Sequence, residues 1–136
     1  QGFTHIIGSH PHVIQPMELR TDSITGAQHA VVYSLGNFIS NMSKVNTDGG
    51  LIFTLELEKD TTTSTSPQVR VQRCGYNFVW TARPNFTKEK NYVLYPTDST
   101  SISKLPEAAR NHLNIFVKNS RKLLQQHNVG IKENKK

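Results

Sequence analysis

Cysteine is almost missing from this 136-residue chain. The single Cys74 excludes an internal disulfide and any multi-thiolate metal site, which leaves it the part of a small core side chain. Long apolar runs are missing too. None approaches the roughly 18 residues that a membrane-spanning helix needs, and no charged-then-apolar leader is present, so any targeting segment would lie upstream. Nucleophile elbows, Walker loops, zinc-binding helices and dinucleotide fingerprints are absent as well. Acidic residues are scarce, 10 against 16 Lys and Arg, and the net charge of +6 favours a polyanionic partner or substrate. Many of the positive charges crowd the C-terminal region, at Lys104, Arg110, Lys118, Arg121, Lys122, Lys132, Lys135 and Lys136. A solvated helix face and a frayed tail explain that placement, and with no RNA- or DNA-binding motif beside it no nucleic-acid partner is expected.

What is present reads first as strands. Phe3 to Ile7 has the pattern of a strand buried in the middle of a sheet, and Gly8 ends it. Val13 to Arg20, with Pro11 and Pro16 arguing against helix, and Gln28 to Ser34 flank a turn at Thr21 to Gly26, which predicts a hairpin. Leu51, Phe53, Leu55 and Leu57 alternate with polar residues after Gly49-Gly50, the clearest strand in the chain. Thr61 to Pro67 reads as an exposed loop. Val69 and Val71 restart a strand that a bulge or an end interrupts near Arg73 to Gly75; Phe78 to Arg83 and Tyr92 to Pro96 read as two more. From Pro106 the apolar period becomes helical, with Gly130 placed to end that helix in the left-handed region and Lys118, Arg121, Lys122 and Gln125 on its wet face. His112 and His127 are ordinary helix residues on this pattern. The fold class is therefore α+β. Because the chain opens on Gln1 inside a strand with no lead-in, we read it as a portion of something larger.

The chemistry-bearing stretch is Gly8-Ser9-His10-Pro11-His12. In extended backbone, residues two apart point to one side, so His10 and His12 form a candidate pair of metal-ligating imidazoles at a strand end. A pair of loop histidines making ordinary hydrogen bonds is the competing reading. Ser34-Leu35-Gly36-Asn37-Phe38 is a second strand-end loop of similar placement. If the two strands are neighbours, Asn37 lies near the histidines and joins them as a candidate catalytic residue, although an Asn after Gly also serves simply as a turn residue. His5 suits a satisfied interior position, and His29 has no chemical companion nearby. Two imidazoles fall short of a centre, since a catalytic zinc usually takes three protein ligands and a two-metal site more.

Ile6 to Pro16 and Val31 to Ile39 together resemble the C-terminal signature of the CapA family, bacterial proteins associated with capsule and poly-gamma-glutamate synthesis. The resemblance continues more weakly through Gly49-Gly50, Val79 to Arg83 and Tyr92 to Pro96, and so spans about residues 2 to 97. It implies the C-terminal part of a four-layered α/β/β/α sandwich similar to the calcineurin-like metallophosphoesterases. On that basis residues 1–97 form the β-rich portion of the domain, 98–130 a helix packed on it, and 131–136 a disordered basic tail. In the wider pattern a late Gly-His-x-His block gives one histidine to each of two divalent metals, with Mn, Fe or Zn plausible, and His10 and His12 are the matching positions. Ser9 stands between glycine and the first histidine, as a residue commonly does in the CapA-like variant. The family's Asp-x-His, Gly-Asp and Asn-His-Asp/Glu blocks have no counterpart here, so the resemblance implies that the missing half of the domain, or a partner chain, completes the site. The function implied is a metal-dependent phosphoesterase-type hydrolase of the bacterial cell envelope, on its periplasmic or extracellular face. The alternative is a non-catalytic capsule-assembly or binding component that keeps the fold without a working metal centre.

Overall fold

The computed structural model describes residues 4–42, 44–62 and 68–134. Among them the fold is α+β, mostly strands with one long C-terminal helix. Three strands make a small sheet in the order β1-β3-β2, from β1 (Ile6–Ile7), β2 (Met17–Thr21) and β3 (Gln28–Val32). The hairpin of β2 and β3 turns on Asp22, whose carboxylate accepts from the Ile24 and Thr25 amides, while β1 pairs parallel to β3. A second sheet is built on the antiparallel pair β4 (Gly49–Asp60) and β5 (Gln68–Ala82), with β6 (Val93–Pro96) along the other edge of β5.

Helices follow: α1 (Pro84–Thr87), α2 (Ser99–Ser103) and α3 (Glu107–His127). The core lies between α3 and the second sheet. Ala109, Leu113, Phe116 and Leu124 of α3 recur at helical spacing and are buried against Leu51, Tyr76, Phe78 and Trp80. Phe78 meets Tyr76 and Phe116 edge-on, with ring centroids 5.4 and 6.3 Å apart. Burying side chains of this size contributes about 2–3 kcal/mol each, an upper figure because unfolded chains already hide some apolar surface.

Several expectations change. Among the described residues β1 is an edge strand, paired on one side only, and Ile6 and Ile7 are 53% and 52% exposed. Consecutive strand residues face opposite ways, so both faces of this edge are open. Phe3 lies outside the described residues, as do residues 63–67 of the expected Thr61 to Pro67 loop. The two segments around Cys74-Gly75 are one continuous 15-residue strand, β5, and its irregularity is a bulge at Gln72, where the register against Glu56 and Leu57 shifts. Glycine suits that strand at position 75 because a Cβ there would collide with the Asn134 side chain. Pro106 sits at the N-cap of α3 rather than in its first turn, and α3 ends at His127 with Asn128 extended, so left-handed Gly130 turns the chain after the helix instead of capping it.

Residues 131–134, expected as the start of a disordered tail, are ordered. Val129 bridges in parallel to Glu18 of β2, Ile131 is buried, and β7 (Lys132–Glu133) pairs with Gly75 and Tyr76 of β5. Backbone ladders do not depend on side-chain polarity, and charged residues suit an edge strand. The same segment binds Arg121, which was expected on the wet face of α3. Its guanidinium forms a two-pronged pair with Glu133 at 2.8 and 2.7 Å and lies 5.5 Å over the Phe78 ring. Residues 135 and 136 lie outside the described residues.

Candidate functional site

The two strand-end loops meet because β1 and β3 are parallel neighbours. Gly8 continues the pairing, its amide donating to the Val32 carbonyl at 2.8 Å and its carbonyl accepting from Leu35 at 3.0 Å. A Cβ at Gly8 would stand 2.5 Å from the Tyr33 carbonyl oxygen, so only glycine permits this approach. The chain then turns. His12 donates its amide to the Ser9 carbonyl and adopts a φ of 60°, a left-handed conformation that side-chain-bearing residues seldom take. The extended geometry expected for His10 to His12 is therefore replaced by a turn, forced by Pro11 and by the return of Ile14 to bridge with Leu35.

The second loop is held from below. Gly36, at φ 81°, bridges to Gly50, and the Asn37 amide donates to the Gly49 carbonyl at 2.9 Å. Asn37 is buried at 5% exposure. Its side-chain amide nitrogen donates to the Thr47 carbonyl at 2.9 Å, and its Oδ1 stands 2.6 Å from His12 Nδ1. A backbone carbonyl only accepts, which fixes which end of the Asn37 amide faces Thr47. Oδ1 therefore accepts from His12 Nδ1, which leaves Nε2 as the ring nitrogen not engaged within the described residues. His12 is exposed.

His10 is exposed on the turn and makes no hydrogen bond among the described residues. The structure thus joins His12 to Asn37 and leaves His10 beside them on the same loop. His5 behaves as expected of a satisfied histidine: its Nδ1 accepts from the Ala30 amide at 3.1 Å, and partial burial, then the nearby His29 ring, lowers its pKa. Cys74 is partly buried, and that burial raises its thiol pKa. His112 packs on Phe86 with centroids 4.6 Å apart and the rings tilted by 45°, and His127 is exposed at the end of α3.

As a metal site the loop is partial. The Nε2 of His12, with its other nitrogen bonded to an amide oxygen, has the arrangement of a metal-ligating histidine and its supporting partner. Among the described residues, however, no three His, Cys, Asp or Glu side chains converge, so any full ligand set draws on groups beyond them. Sequence reasoning missed Thr47, which fixes the Asn37 amide; only the return of the 38–48 segment onto the second sheet brings it there.

Comparison with known proteins agrees with the two loops. Residues 1–42 match the family model described as bacterial capsule synthesis protein PGA_cap. The matched segment is similar to that family and contains His10, His12 and Asn37 together. It supports a link to capsule synthesis at the level of the family, and stops before β4. No curated protein and no solved structure matches the chain. Among the described residues, no helix is long and apolar enough to cross a membrane.

Proposed function

We propose that the Gly8–His12 loop and Asn37 are this chain's share of a metal-dependent phosphoesterase-type site, in a protein of capsule or poly-gamma-glutamate synthesis at the bacterial cell envelope. The observation that carries the reading is the 2.6 Å contact of His12 Nδ1 with the anchored Asn37 Oδ1, which leaves Nε2 for a further partner. His10 and His12 are the metal ligands of this reading, and Asn37 positions His12 by accepting its Nδ1 proton. A divalent ion held there would supply a water of lowered pKa and charge stabilisation at a phosphorus or acyl-phosphate centre. The remaining ligands come from a preceding half of the domain or a partner chain. The net charge of +6 suits a polyanionic substrate.

The alternative, a capsule-assembly or binding component without a working centre, is favoured by one observation: the described residues alone bring no third ligand to the imidazoles. Metal analysis of the full-length protein and hydrolysis of a phosphodiester probe separate the two. The first reading expects bound divalent metal and hydrolysis, both lost in a His10→Ala, His12→Ala double variant. Metal content and hydrolysis that survive that substitution would sink it, and so would a full-length protein that binds no metal.

A further inference from the structure

A second cleft opens on the far side of the 38–48 segment, between Lys44 to Asp48, the end of β5, α1 and α3, with a volume of about 190 Å³. Arg83 leaves β5 here. Its Nη2 is buried and has no hydrogen-bond partner, the sole side-chain atom in that condition among the described residues. Arginine stays protonated at any physiological pH, so this is a charged donor taken from water and left unsatisfied, an arrangement that buried groups avoid. Arg83 itself lines the cleft, so an acceptor that enters there can reach its guanidinium.

We propose that this cleft binds a small organic monoanion, a carboxylate with a compact apolar body, through the Arg83 guanidinium. Charge and shape both restrict the occupant. Arg83, Lys44 and His112 line the cleft with one carboxylate, Asp48, whose Oδ2 is already engaged by the Trp80 indole N–H at 3.0 Å. Leaving the His112 imidazole aside, one positive charge is left over, which suits a monoanion better than a phosphate dianion. Phe86, Ile115 and Phe116 supply apolar walls, and Ile115 remains 52% exposed at the rim. The volume lies below the roughly 300–1,000 Å³ usual for ligand pockets, which suits a ligand the size of benzoate better than a nucleotide or a polymer segment. The guanidinium fork matches the two oxygens of a carboxylate. This site uses none of His10, His12 or Asn37 and needs no metal, so it stands or falls apart from the function proposed above.

Trp80, the protein's one tryptophan, reports on the cleft through its bond to Asp48. The indole N–H resonance is followed while benzoate, acetate, benzamide or inorganic phosphate is added at constant ionic strength. Benzoate is expected to give a saturable shift at lower concentration than acetate or phosphate, and uncharged benzamide to give none. Arg83→Gln weakens benzoate roughly ten- to hundredfold, the effect of losing charge-assisted hydrogen bonds. Ile115→Glu, at the exposed rim, places a like charge beside the ligand and weakens it with the fold intact by circular dichroism. The proposal is overturned by absence of saturable benzoate binding, by tighter binding of phosphate or benzamide, or by unchanged affinity in folded Arg83→Gln. Should Arg83→Gln fail to fold, unchanged affinity in Ile115→Glu overturns it equally.

Discussion

His12 Nδ1 stands 2.6 Å from Asn37 Oδ1, across 25 residues of sequence, and the Asn37 amide is locked in turn by the Thr47 carbonyl. The contact fixes both the ring orientation and the tautomer of a histidine on an exposed turn. It also ties the His12 turn to the segment that leads into β4.

Replacing Asn37 by Leu removes the acceptor for His12 and strands the Thr47 carbonyl. We expect about 1–3 kcal/mol of lost stability in urea unfolding. In the full-length protein, divalent metal affinity should fall roughly ten- to hundredfold, as for other partners of metal-ligating histidines. Metal affinity equal to that of the parent would show that Asn37 does not orient a ligand.

Gly50 tests the support beneath the loop. A Cβ there would stand 2.8 Å from both the Leu35 and Asn37 carbonyl oxygens, so Gly50→Ala forces the Leu35 to Asn37 crossing away from β4. A cost of about 1–3 kcal/mol is expected, with broadening or shift of the His12 ring resonances. Gly26→Ala is the control: Gly26 has a positive φ of 71°, unlike Gly50, but nothing lies within 4 Å of its added Cβ, so only local strain is felt and His12 should not respond.

Acidity should weaken the fold near neutral pH through His5. Its pKa is lowered from the ordinary 6.5 by partial burial and then by His29, so the unfolded state takes up protons first as the pH drops. Stability contributed by neutral His5 is complete above about 6.5 and is lost as pH falls below it toward the lowered folded value. Urea midpoints measured from pH 7.5 to 5 should decline, and His5→Gln should flatten that decline. A parallel decline in the variant would assign it elsewhere.

Arg121→Ala should loosen the C-terminal strand. An exposed ion pair and one cation–π contact together suggest about 1 kcal/mol. The clearer readout is hydrogen exchange at the Asn134 amide, which donates to the Tyr76 carbonyl at 2.8 Å and should exchange faster while the β4–β5 ladder stays protected.

Reading the chain alone reached the hairpin of β2 and β3, the strand of β4 with its inward Leu51, Phe53 and Leu55 although Leu57 is 46% exposed, the strand from Phe78, and the long helix, because each rests on a local period or a turn. It also reached the nearness of Asn37 to the histidine loop, since two parallel neighbouring strands bring their C-terminal ends together. It overestimated the burial of β1 because an apolar strand reads the same whether or not its outer neighbour is present. It mistook Lys132 to Asn134 for tail because polar composition hides an edge strand held by backbone bonds.

Composition and local pattern by themselves determined the α+β class and the exclusion of an internal disulfide, because these follow from side-chain type and short-range periodicity. Tertiary structure alone decided the turn at His12, the proton on its Nδ1 and the unpaired Arg83 in its cleft. Each depends on atoms many residues apart, and local sequence carries no record of which carbonyl a distant side chain will meet.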